Sequence, residues 1–302
     1  WMSVTETALN NMKSILTDIR TQCVNGSTDT LTADDRQTLL DSLKSLSEQV
    51  YTEGNADYAG KTVFTGYRTS SNLTFNEDEP DTEYVITQGF SFEDLEEKRY
   101  YTGDVKVPEV VTAGMGECET TIAENTYQRL RLAYNGDTTL GHVSYTYIDN
   151  NGTERTVDVR NEIGITVYDN EEAWEADKIA NQQEGKIVGS DEIIYIEETG
   201  ELIFGTNIAN RLADQRATIS VEYTKKGFDK GEARPEYYYD CIDVTDINPD
   251  NHIKYTKEVQ DIDYTIANNT TLTINTQASD VFDTAIARDV DELVNVVQKA
   301  ID

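Results

Sequence analysis

The sequence predicts an α+β protein: an antiparallel helical bundle or coiled-coil core domain with flanking β-hairpins, interrupted by an inserted, mainly-β domain. Heptad-like apolar stripes occur near the two ends of the chain, and such stripes are typical of helices that pack on other helices. The middle instead alternates apolar and polar residues around Asn- and Gly-containing turns, as hairpins do. We therefore expect a discontinuous core domain of residues 1–76 and 262–302 around an insertion of residues 77–261, which itself divides further.

Three helices are predicted from the apolar stripes. The first runs from Ser3 to Val24 and the second from about Ala33 to Glu53, with Thr32 as a good N-cap. The third begins near Ile286, and its apolar pattern continues to the last residue. We therefore expect this sequence to be a fragment that lacks the terminal coiled-coil segments. Apolar residues that alternate in spacings of three and four form the helical seam. They are Leu9, Met12, Leu16, Ile19, Leu39, Leu43, Leu46, Val50, Val290, Leu293 and Val297.

A polar break and a short hairpin are predicted after the second helix. Asn55 and Gly60 interrupt the helical pattern, and Gly66 divides the strand-forming residues of Lys61–Thr69. The hairpin residues are Gly60, Phe64, Gly66, Tyr67 and Thr69. A second hairpin, Asp263–Ala267 with Leu272–Thr276, precedes the third helix in the same way. This mirror arrangement predicts that the two hairpins lie close together.

The pattern of the insertion predicts strands and two short helices. The predicted strands are Tyr84–Gln88, Tyr100–Val111, Gly141–Asp149, Thr153–Arg160, Ile163–Tyr168, Ile193–Glu197, Glu201–Phe204 and Ala217–Lys225. The predicted helices are Asn170–Asn181 and Asn207–Asp214. Asn150-Asn151-Gly152 and Thr199-Gly200 mark hairpin turns because Asn and Gly tolerate positive φ.

The charge and the cysteine content argue against several classes of partner and scaffold. A formal net charge of −32 argues against nucleic acid and against anionic membranes, which both need clustered Lys and Arg. The chain has no apolar run long enough to span a membrane and no secretory type of signal. The cysteines Cys23, Cys118 and Cys241 are odd in number and far apart, so a disulfide scaffold is not expected. Cys23 falls on the first apolar stripe and is predicted to pack there.

No catalytic, cofactor or metal site is predicted. His142 and His252 have no partner at zinc spacing, and nucleotide-binding and Ser-nucleophile signatures are absent. The acidic turn that starts at Asp246 resembles a calcium loop, but Asn251 and Lys257 stand where that loop needs Gly and Glu. The 57 acidic residues form many carboxylate pairs by chance, so they neither support nor exclude glycoside hydrolysis. Eighteen tyrosines, three of them at Tyr237-Tyr238-Tyr239, suit either a binding surface or strands.

The stretch from Leu31 to Phe75 resembles the flagellar hook–filament junction protein family (hook-associated protein 3). That family has a helix with an L-[ST]-x-x-D-R start, an Asn-containing break and a hairpin of the type G-[RK]-[YT]-[IV]-F-x-G-[YT]-[KR]-T. The matching residues here are Leu31, Thr32, Asp35, Arg36, Asn55, Gly60, Lys61, Thr62, Val63, Phe64, Gly66, Tyr67, Arg68, Thr69 and Phe75. The resemblance covers residues 1–76 and 262–302, and Thr199–Gly205 and Ala217–Cys241 resemble insertions of longer clostridial-type members.

The resemblance implies an extracellular, non-catalytic structural protein of the bacterial flagellum. Such a protein is exported unfolded by the type III apparatus with a chaperone and forms a ring between hook-associated protein 1 and flagellin. The isolated fragment is expected to be monomeric. The seam would hold the subunit's own helices, and the polar faces and the Lys61–Thr69 segment would meet neighbours. Two alternatives stay open: a flagellin-like filament protein, and a glycan-binding or glycan-hydrolysing module on the insertion.

Overall fold

The structure is a computed structural model that describes residues 1–26, 31–102, 123–180 and 187–299. Helix and strand both contribute large parts of it, consistent with the predicted α+β class. The helices are α1 (Met2–Gly26), α2 (Ala33–Gly54), α3 (Val159–Glu162), α4 (Glu171–Ala180), α5 (Thr206–Asp214), α6 (Ala278–Val281) and α7 (Thr284–Lys299). Among the described residues we find no helix that meets the length and hydropathy of a membrane span.

Fifteen strands are found in the described ranges. They are β1 (Asp57–Tyr58), β2 (Lys61–Thr62), β3 (Glu79–Ser91), β4 (Glu96–Thr102), β5 (Ala123–Arg131), β6 (Asp137–Ile148), β7 (Glu154–Asp158), β8 (Thr166–Tyr168), β9 (Ile193–Ile196), β10 (Glu201–Phe204), β11 (Thr218–Phe228), β12 (Asp240–Asp243), β13 (Ile253–Tyr255), β14 (Asp263–Ala267) and β15 (Thr270–Thr273).

The chain divides into two compact units. The first unit holds residues 1–86 and 226–302, and the second holds residues 87–225. The second unit is shorter than the expected insertion, because residues 77–86 and 226–261 belong to the first unit. Strands β3 and β11 each begin in one unit and end in the other.

Helix α2 begins at a complete capping box. The Thr32 hydroxyl accepts a hydrogen bond from the Asp35 N–H at 3.2 Å, and the Asp35 carboxylate accepts from the Thr32 N–H at 3.0 Å. These bonds satisfy amide groups that have no partner within the helix. The Thr32 hydroxyl also donates to Asp35 Oδ2 at 2.7 Å, and this bond, followed by the one from the Thr32 N–H, lowers the pKa of the Asp35 carboxyl. The predicted N-cap at Thr32 is confirmed.

We expect Thr32→Ala to lower the free energy of unfolding by about 1 kcal/mol, the usual cost of losing a hydroxyl N-cap. Urea unfolding followed by far-UV circular dichroism measures this change. Thr32→Ser keeps the accepting oxygen and serves as the control, so it should stay within about 0.5 kcal/mol of the wild type. Equal losses of stability in both variants would show that the accepting hydroxyl oxygen of Thr32 is not what stabilises the helix.

Side chains of α1, α2 and α7 meet in one apolar cluster, which we call the helix cluster. Its buried members are Ile15, Ile19, Leu39, Leu43 and Val290. The seam residues Leu16, Leu46, Val50, Leu293 and Val297 pack against it and are partly buried, as is Cys23. Whether these helices form an antiparallel coiled coil stays a prediction.

The most deeply buried stripe of α1 differs from the predicted one. The structure buries Ala8, Met12, Ile15 and Ile19, whereas Leu9 and Leu16 are only partly buried. Both stripes alternate spacings of three and four and share Met12 and Ile19. The two stripes differ by one position, at Ala8/Leu9 and at Ile15/Leu16. Because α1 has apolar residues at both positions of each pair, its sequence fits either stripe, and only the packing partners decide which one is buried.

The predicted hairpin over Lys61–Thr69 is wrong. The paired strands are β1 and β2, with Tyr58 opposite Lys61. Their turn is Ala59-Gly60, where both residues have positive φ (54° and 75°), as type I′ hairpin turns require. Residues 63–69 are not paired as strands and instead form a compact turn, in which the Arg68 N–H donates to the Thr65 carbonyl at 3.1 Å. Val63 and Phe64 are both 1% exposed in it.

The other hairpin predictions are confirmed. Asn268-Asn269 joins β14 to β15, and Asn269 has a φ of 60°. Asn150-Asn151-Gly152 lies between β6 and β7, and Thr199-Gly200 lies between β9 and β10. The second strand of the 263–273 hairpin begins at Thr270, two residues before the predicted start.

Other elements predicted between residues 77 and 261 occur close to their expected places. The structure contains α4, α5 and β11 at positions that overlap the predicted helices and strand. Strand β8 begins at Thr166, three residues later than predicted. The predicted strand Tyr100–Val111 overlaps the end of β4, and its residues 103–111 lie outside the described residues.

In the second unit a five-stranded sheet has the order β4-β5-β10-β9-β8, and only the β8–β9 pair is parallel. The strand order β11-β6-β7 forms another part of this unit and β13-β12-β3 belongs to the first unit, apart from the residues of β3 and β11 that lie beyond the unit boundary. Tyr127 and Trp174 pack at 5.9 Å, edge to face, over the apolar residues of β9 and β10. The sequence did not predict β5, because its buried Arg129 looks like a surface residue. Arg129 is buried as an ion pair with Glu201, with Nη1 to Oε1 at 2.8 Å.

Candidate functional site

The compact turn of residues 63–69, which carries several of the family-like residues, is the candidate functional site. Phe64 packs edge to face on Phe282, with ring centroids 4.8 Å apart. The Phe64 carbonyl also accepts a hydrogen bond from the Ala278 N–H at 2.9 Å. The turn cluster comprises the buried residues Ala8, Val63, Phe64, Leu73, Tyr237 and Ala278. The turn therefore joins α1 to the segment that returns the chain to α6 and α7.

Polar bonds fix the exposed side of the turn. The Tyr67 N–H donates to Gln260 Oε1 at 2.9 Å, and the Tyr67 hydroxyl donates to the Asp261 carbonyl at 2.8 Å. Gly66 has a φ of +60°, and a Cβ added there would collide with Gln260, so the position is suited to glycine. The residues just before β14 thus contact the turn. Proximity of the two hairpins themselves stays a prediction.

The five predicted hairpin residues take different roles. Gly60 turns the β1–β2 hairpin, Phe64 is buried, and Gly66 and Tyr67 form the turn. The carbonyl of Thr69 accepts a hydrogen bond from the Thr62 N–H at 3.0 Å and closes the loop. Tyr67 keeps 62% of its surface exposed, so its ring is the part of the turn that a neighbouring molecule can reach.

A buried carboxylate lies beneath the turn. The Glu236 side chain is 6% exposed, and Arg234 lies 3.7 Å away, from Nη1 to Oε1. Glu236 Oε2 has no hydrogen-bond partner among the described residues. Burial raises the pKa of the Glu236 carboxyl above its usual value, although Arg234 and Arg68 oppose the shift. Nothing in the sequence around Glu236 signals this burial, which follows from the packing of the turn.

A small polar cavity of about 20 Å³ lies beside Glu236 and is lined by Arg68, Lys257, Gln260 and Gln277, among others. It has room for about one water molecule. Lys257 Nζ donates to Gln277 Oε1 at 3.4 Å, and burial lowers the pKa of the Lys257 ammonium. The cavity is too small to hold an organic ligand.

We expect Glu236→Gln to stabilise the protein near pH 7. The folded state binds the Glu236 proton more tightly than the unfolded chain does, because its folded pKa is raised. The Glu236 carboxyl therefore contributes most to the stability of the wild-type protein below the ordinary pKa of glutamate. Its contribution falls as the pH rises through the folded pKa. Glutamine stays neutral, so its advantage should shrink as the pH falls towards about 4.

Urea unfolding at several values between about pH 4 and pH 8 measures this difference. Glu258→Gln removes the same charge from an exposed residue near the cavity and is the control. A Glu236→Gln protein that is less stable than the wild type at pH 7 would contradict the prediction, since it would mean that the Arg234 ion pair outweighs desolvation.

The residues with the chemistry of a catalytic or metal site are dispersed. His142 Nε2 lies 3.4 Å from Asp158 Oδ2 at an exposed position, and His252 Nε2 lies 2.9 Å from the Asp246 carbonyl. The acidic turn is held by its own bonds, such as that from the Asn248 N–H to Asp246 Oδ1 at 2.8 Å. No cluster of metal-ligating side chains is found in the described part of the chain.

The described cysteines and the tyrosine run are packed inward. Burial raises the pKa of the Cys23 thiol and raises that of Cys241 to about 12, which lowers their reactivity. Cys118 lies outside the described residues. Tyr237 and Tyr238 pack in or against the turn cluster, and the Tyr239 hydroxyl lies 2.6 Å from Thr284 Oγ1. The run is therefore neither an exposed binding surface nor part of a strand.

Comparison with known proteins gives structural matches only. No protein-family model matches the chain. No curated protein matches it either. Among solved structures, it is similar to the flagellar junction protein FlgL from Legionella pneumophila, with 11% identity, a TM-score of 0.24, and coverage of 99% of this chain and 87% of that chain.

Two further structures align over a similar range. FlgL from Xanthomonas campestris gives 10% identity and a TM-score of 0.26, covering 99% of this chain and 84% of that chain. A second Legionella pneumophila structure, flagellar hook associated protein-3, gives 12% identity and a TM-score of 0.22, covering 99% and 81%. At these scores the alignments transfer no residue role to this chain.

Proposed function

We propose that this chain is a non-catalytic structural subunit of the bacterial flagellum, at the junction between hook-associated protein 1 and the flagellin filament. The observation that carries the proposal is the combined sequence and packing of residues 31–75. The capped helix, the Asn-containing break and the residues Gly60, Phe64 and Gly66 follow in the order of the junction-protein family. Phe64 is also the residue through which this segment packs on Phe282 and meets Ala278.

The proposed mechanism is mechanical. Apolar helix faces bury against one another within the subunit, as in the helix cluster, and contacts between subunits repeat around a ring. In this proposal the family-like part is residues 1–76 and 262–302, and residues 77–261 are the insertion specific to this protein. Export in an unfolded state with a chaperone and an extracellular location belong to the same proposal.

Co-assembly tests the proposal directly. Hooks capped with hook-associated protein 1 are incubated with the full-length protein, washed, and then given flagellin, and electron microscopy follows filament growth. We expect the protein to stay on the hooks and filaments to grow only where it is bound. Failure of the full-length protein to bind hook-associated protein 1 would make the assignment wrong.

Two controls separate the alternatives. Omission of flagellin distinguishes a junction subunit from a flagellin-like protein, because a flagellin-like protein would itself extend into filaments. A glycan array probed with the full chain tests the remaining alternative. Strong binding to one glycan class would make a purely structural role inadequate.

A further inference from the structure

Three side chains of complementary reactivity line the small polar cavity beside Glu236. They are the amine of Lys257, the carboxamide of Gln277 and the carboxyl group of Glu236 itself. A neutral amine is a nucleophile towards a carbonyl carbon, and an acid–base group close by moves the protons that such an attack requires. Lys257 and Gln277 are 20 positions apart in the sequence, so the fold brings the reactive groups together.

The amine and the carboxamide lie close to reacting distance. Lys257 Nζ is 3.4 Å from Gln277 Oε1, and a carbonyl bond is about 1.2 Å long, so Nζ lies at most about 4.6 Å from the carbonyl carbon Cδ. Reacting atoms need to approach to about 3–3.5 Å. Gln277 is 5% exposed, and its main-chain N–H donates to Asp280 Oδ2 at 3.1 Å. The carboxamide is thus held in place, and the longer lysine side chain supplies the remaining movement.

The cavity favours the neutral form of the amine. Burial lowers the pKa of the Lys257 ammonium, although Asp280 opposes the shift, and it raises the pKa of the Glu236 carboxyl. Transfer of a proton from Lys257 to Glu236 therefore replaces two charged groups in a poorly solvated site with two neutral ones. Glu236 Oε2 has no hydrogen-bond partner among the described residues, so this oxygen has the capacity to accept the proton.

We propose that Lys257 and Gln277 form an intramolecular isopeptide bond and that Glu236 moves the protons. The lone pair of Lys257 Nζ attacks Gln277 Cδ and forms the Nζ–Cδ bond, and the Cδ–Nε2 bond then breaks. Two of the three Nζ protons pass through Glu236 to Nε2, directly or by way of one water molecule in the cavity. Nε2 leaves as an ammonium ion, and Glu236 returns to its starting form. The reaction needs no oxidant or reductant.

The bond closes residues 257–277 into a covalent loop next to the turn of residues 63–69, since Phe64 and Gly66 line the same cavity. The loop contains the hairpin of β14 and β15. An unfolded chain does not hold the amine near the carboxamide, so the bond forms only after folding. Its formation needs no second protein and does not depend on a role in the flagellum.

Mass spectrometry of the 302-residue chain tests the proposal. The folded protein should be lighter than its sequence by the mass of one ammonia molecule. Trypsin cleaves after a lysine only when its amine is free, so residues 255–288 should be released as one peptide that is uncut after Lys257 and carries the mass loss. Fragmentation of this peptide should show a branch that joins Lys257 to Gln277.

Lys257→Arg is the first variant, because it keeps a positive charge and has no reactive amine. It should keep the full mass of its sequence. Lys254→Arg is the matched control, since Lys254 is an exposed lysine on the neighbouring strand β13, and it should lose ammonia like the wild type. Persistence of the loss in Lys257→Arg would overturn the proposal, because the ammonia would then come from another side chain.

Glu236→Gln tests the proton transfer. Samples taken at intervals after cell-free synthesis are quenched in acid, and the fraction of linked peptide gives the rate. The rate should fall at least tenfold in Glu236→Gln, whereas Glu258→Gln, which removes the same charge from an exposed residue of the cavity, should leave it nearly unchanged. Far-UV circular dichroism of the purified variants checks that each is folded. Equal rates in the two variants would overturn the role of Glu236, and a folded wild type of full mass would overturn the bond itself.

The bond also affects how the stability of Glu236→Gln is measured. A covalent link stabilises a protein relative to a variant that lacks it. The unfolding of Glu236→Gln and its parent is therefore compared in a Lys257→Arg background, in which neither protein forms the bond. The hook experiment and the mass measurement remain independent, since each gives its result whether or not the other succeeds.

Discussion

Phe64→Ala is expected to lower the free energy of unfolding by about 3–5 kcal/mol, the usual cost of removing a buried phenylalanine side chain. Phe64 is 1% exposed, and its ring packs on Phe282. It contributes to the turn cluster, which joins α1 to the segment around α6. Truncation removes the buried ring surface and leaves a cavity whose walls come from segments distant in the sequence.

Urea unfolding followed by tryptophan fluorescence measures this loss. The chain has two tryptophans; Trp1 packs against the turn cluster and Trp174 lies in the second unit. In a Trp174→Phe background the signal therefore reports Trp1, and every comparison is made within that background. Tyr58→Ala, at a residue 53% exposed, is the control and should change stability by less than about 0.5 kcal/mol. Similar values for both variants would contradict the packing role of Phe64.

Leu43→Ala is expected to cost about 2–5 kcal/mol. The Leu43 side chain is fully buried in the helix cluster, between residues of α1 and α7. Leucine and alanine both favour helices, so the change leaves helix propensity intact and tests the packing between helices. The size of the loss within this range depends on how far the three helices close around the cavity.

Far-UV circular dichroism during urea unfolding measures the effect of Leu43→Ala. Val296→Ala is the matched control, since Val296 is an apolar residue on α7 that is 58% exposed. We expect the control to stay within about 0.5 kcal/mol of the wild type. A Leu43→Ala loss below about 1 kcal/mol would show that the helix cluster contributes little to stability.

The sequence predicted the elements whose signals are local. The cap at Thr32, the helices α1, α2 and α7 and the turns at Gly152, Gly200 and Asn269 all depend on neighbours within a few residues. Patterns of this kind were sufficient to place most helices and hairpins. They also predicted hairpin segments before residue 77 and after residue 261, although the contact of the turn with Gln260 needed the structure.

The candidate site was predicted less well. The sequence pattern predicts a hairpin for Lys61–Thr69, whereas Phe64 is buried in a compact turn. The strand β5 was missed because Arg129 and its partner Glu201 are separated by 72 residues. Glu236 gave no signal at all, since its burial depends on segments that approach it only in the folded chain.

The sequence by itself determined where helices begin and which residues turn the chain, because those choices depend on backbone preferences and short-range hydrogen bonds. The tertiary structure decided which of two adjacent stripes on α1 faces inward, which segment closes over Phe64 and which side chains line the cavity beside Glu236. These outcomes depend on contacts between residues far apart in the chain. Burial of a side chain and the pairing of a strand are properties of its surroundings, and only the folded chain supplies them.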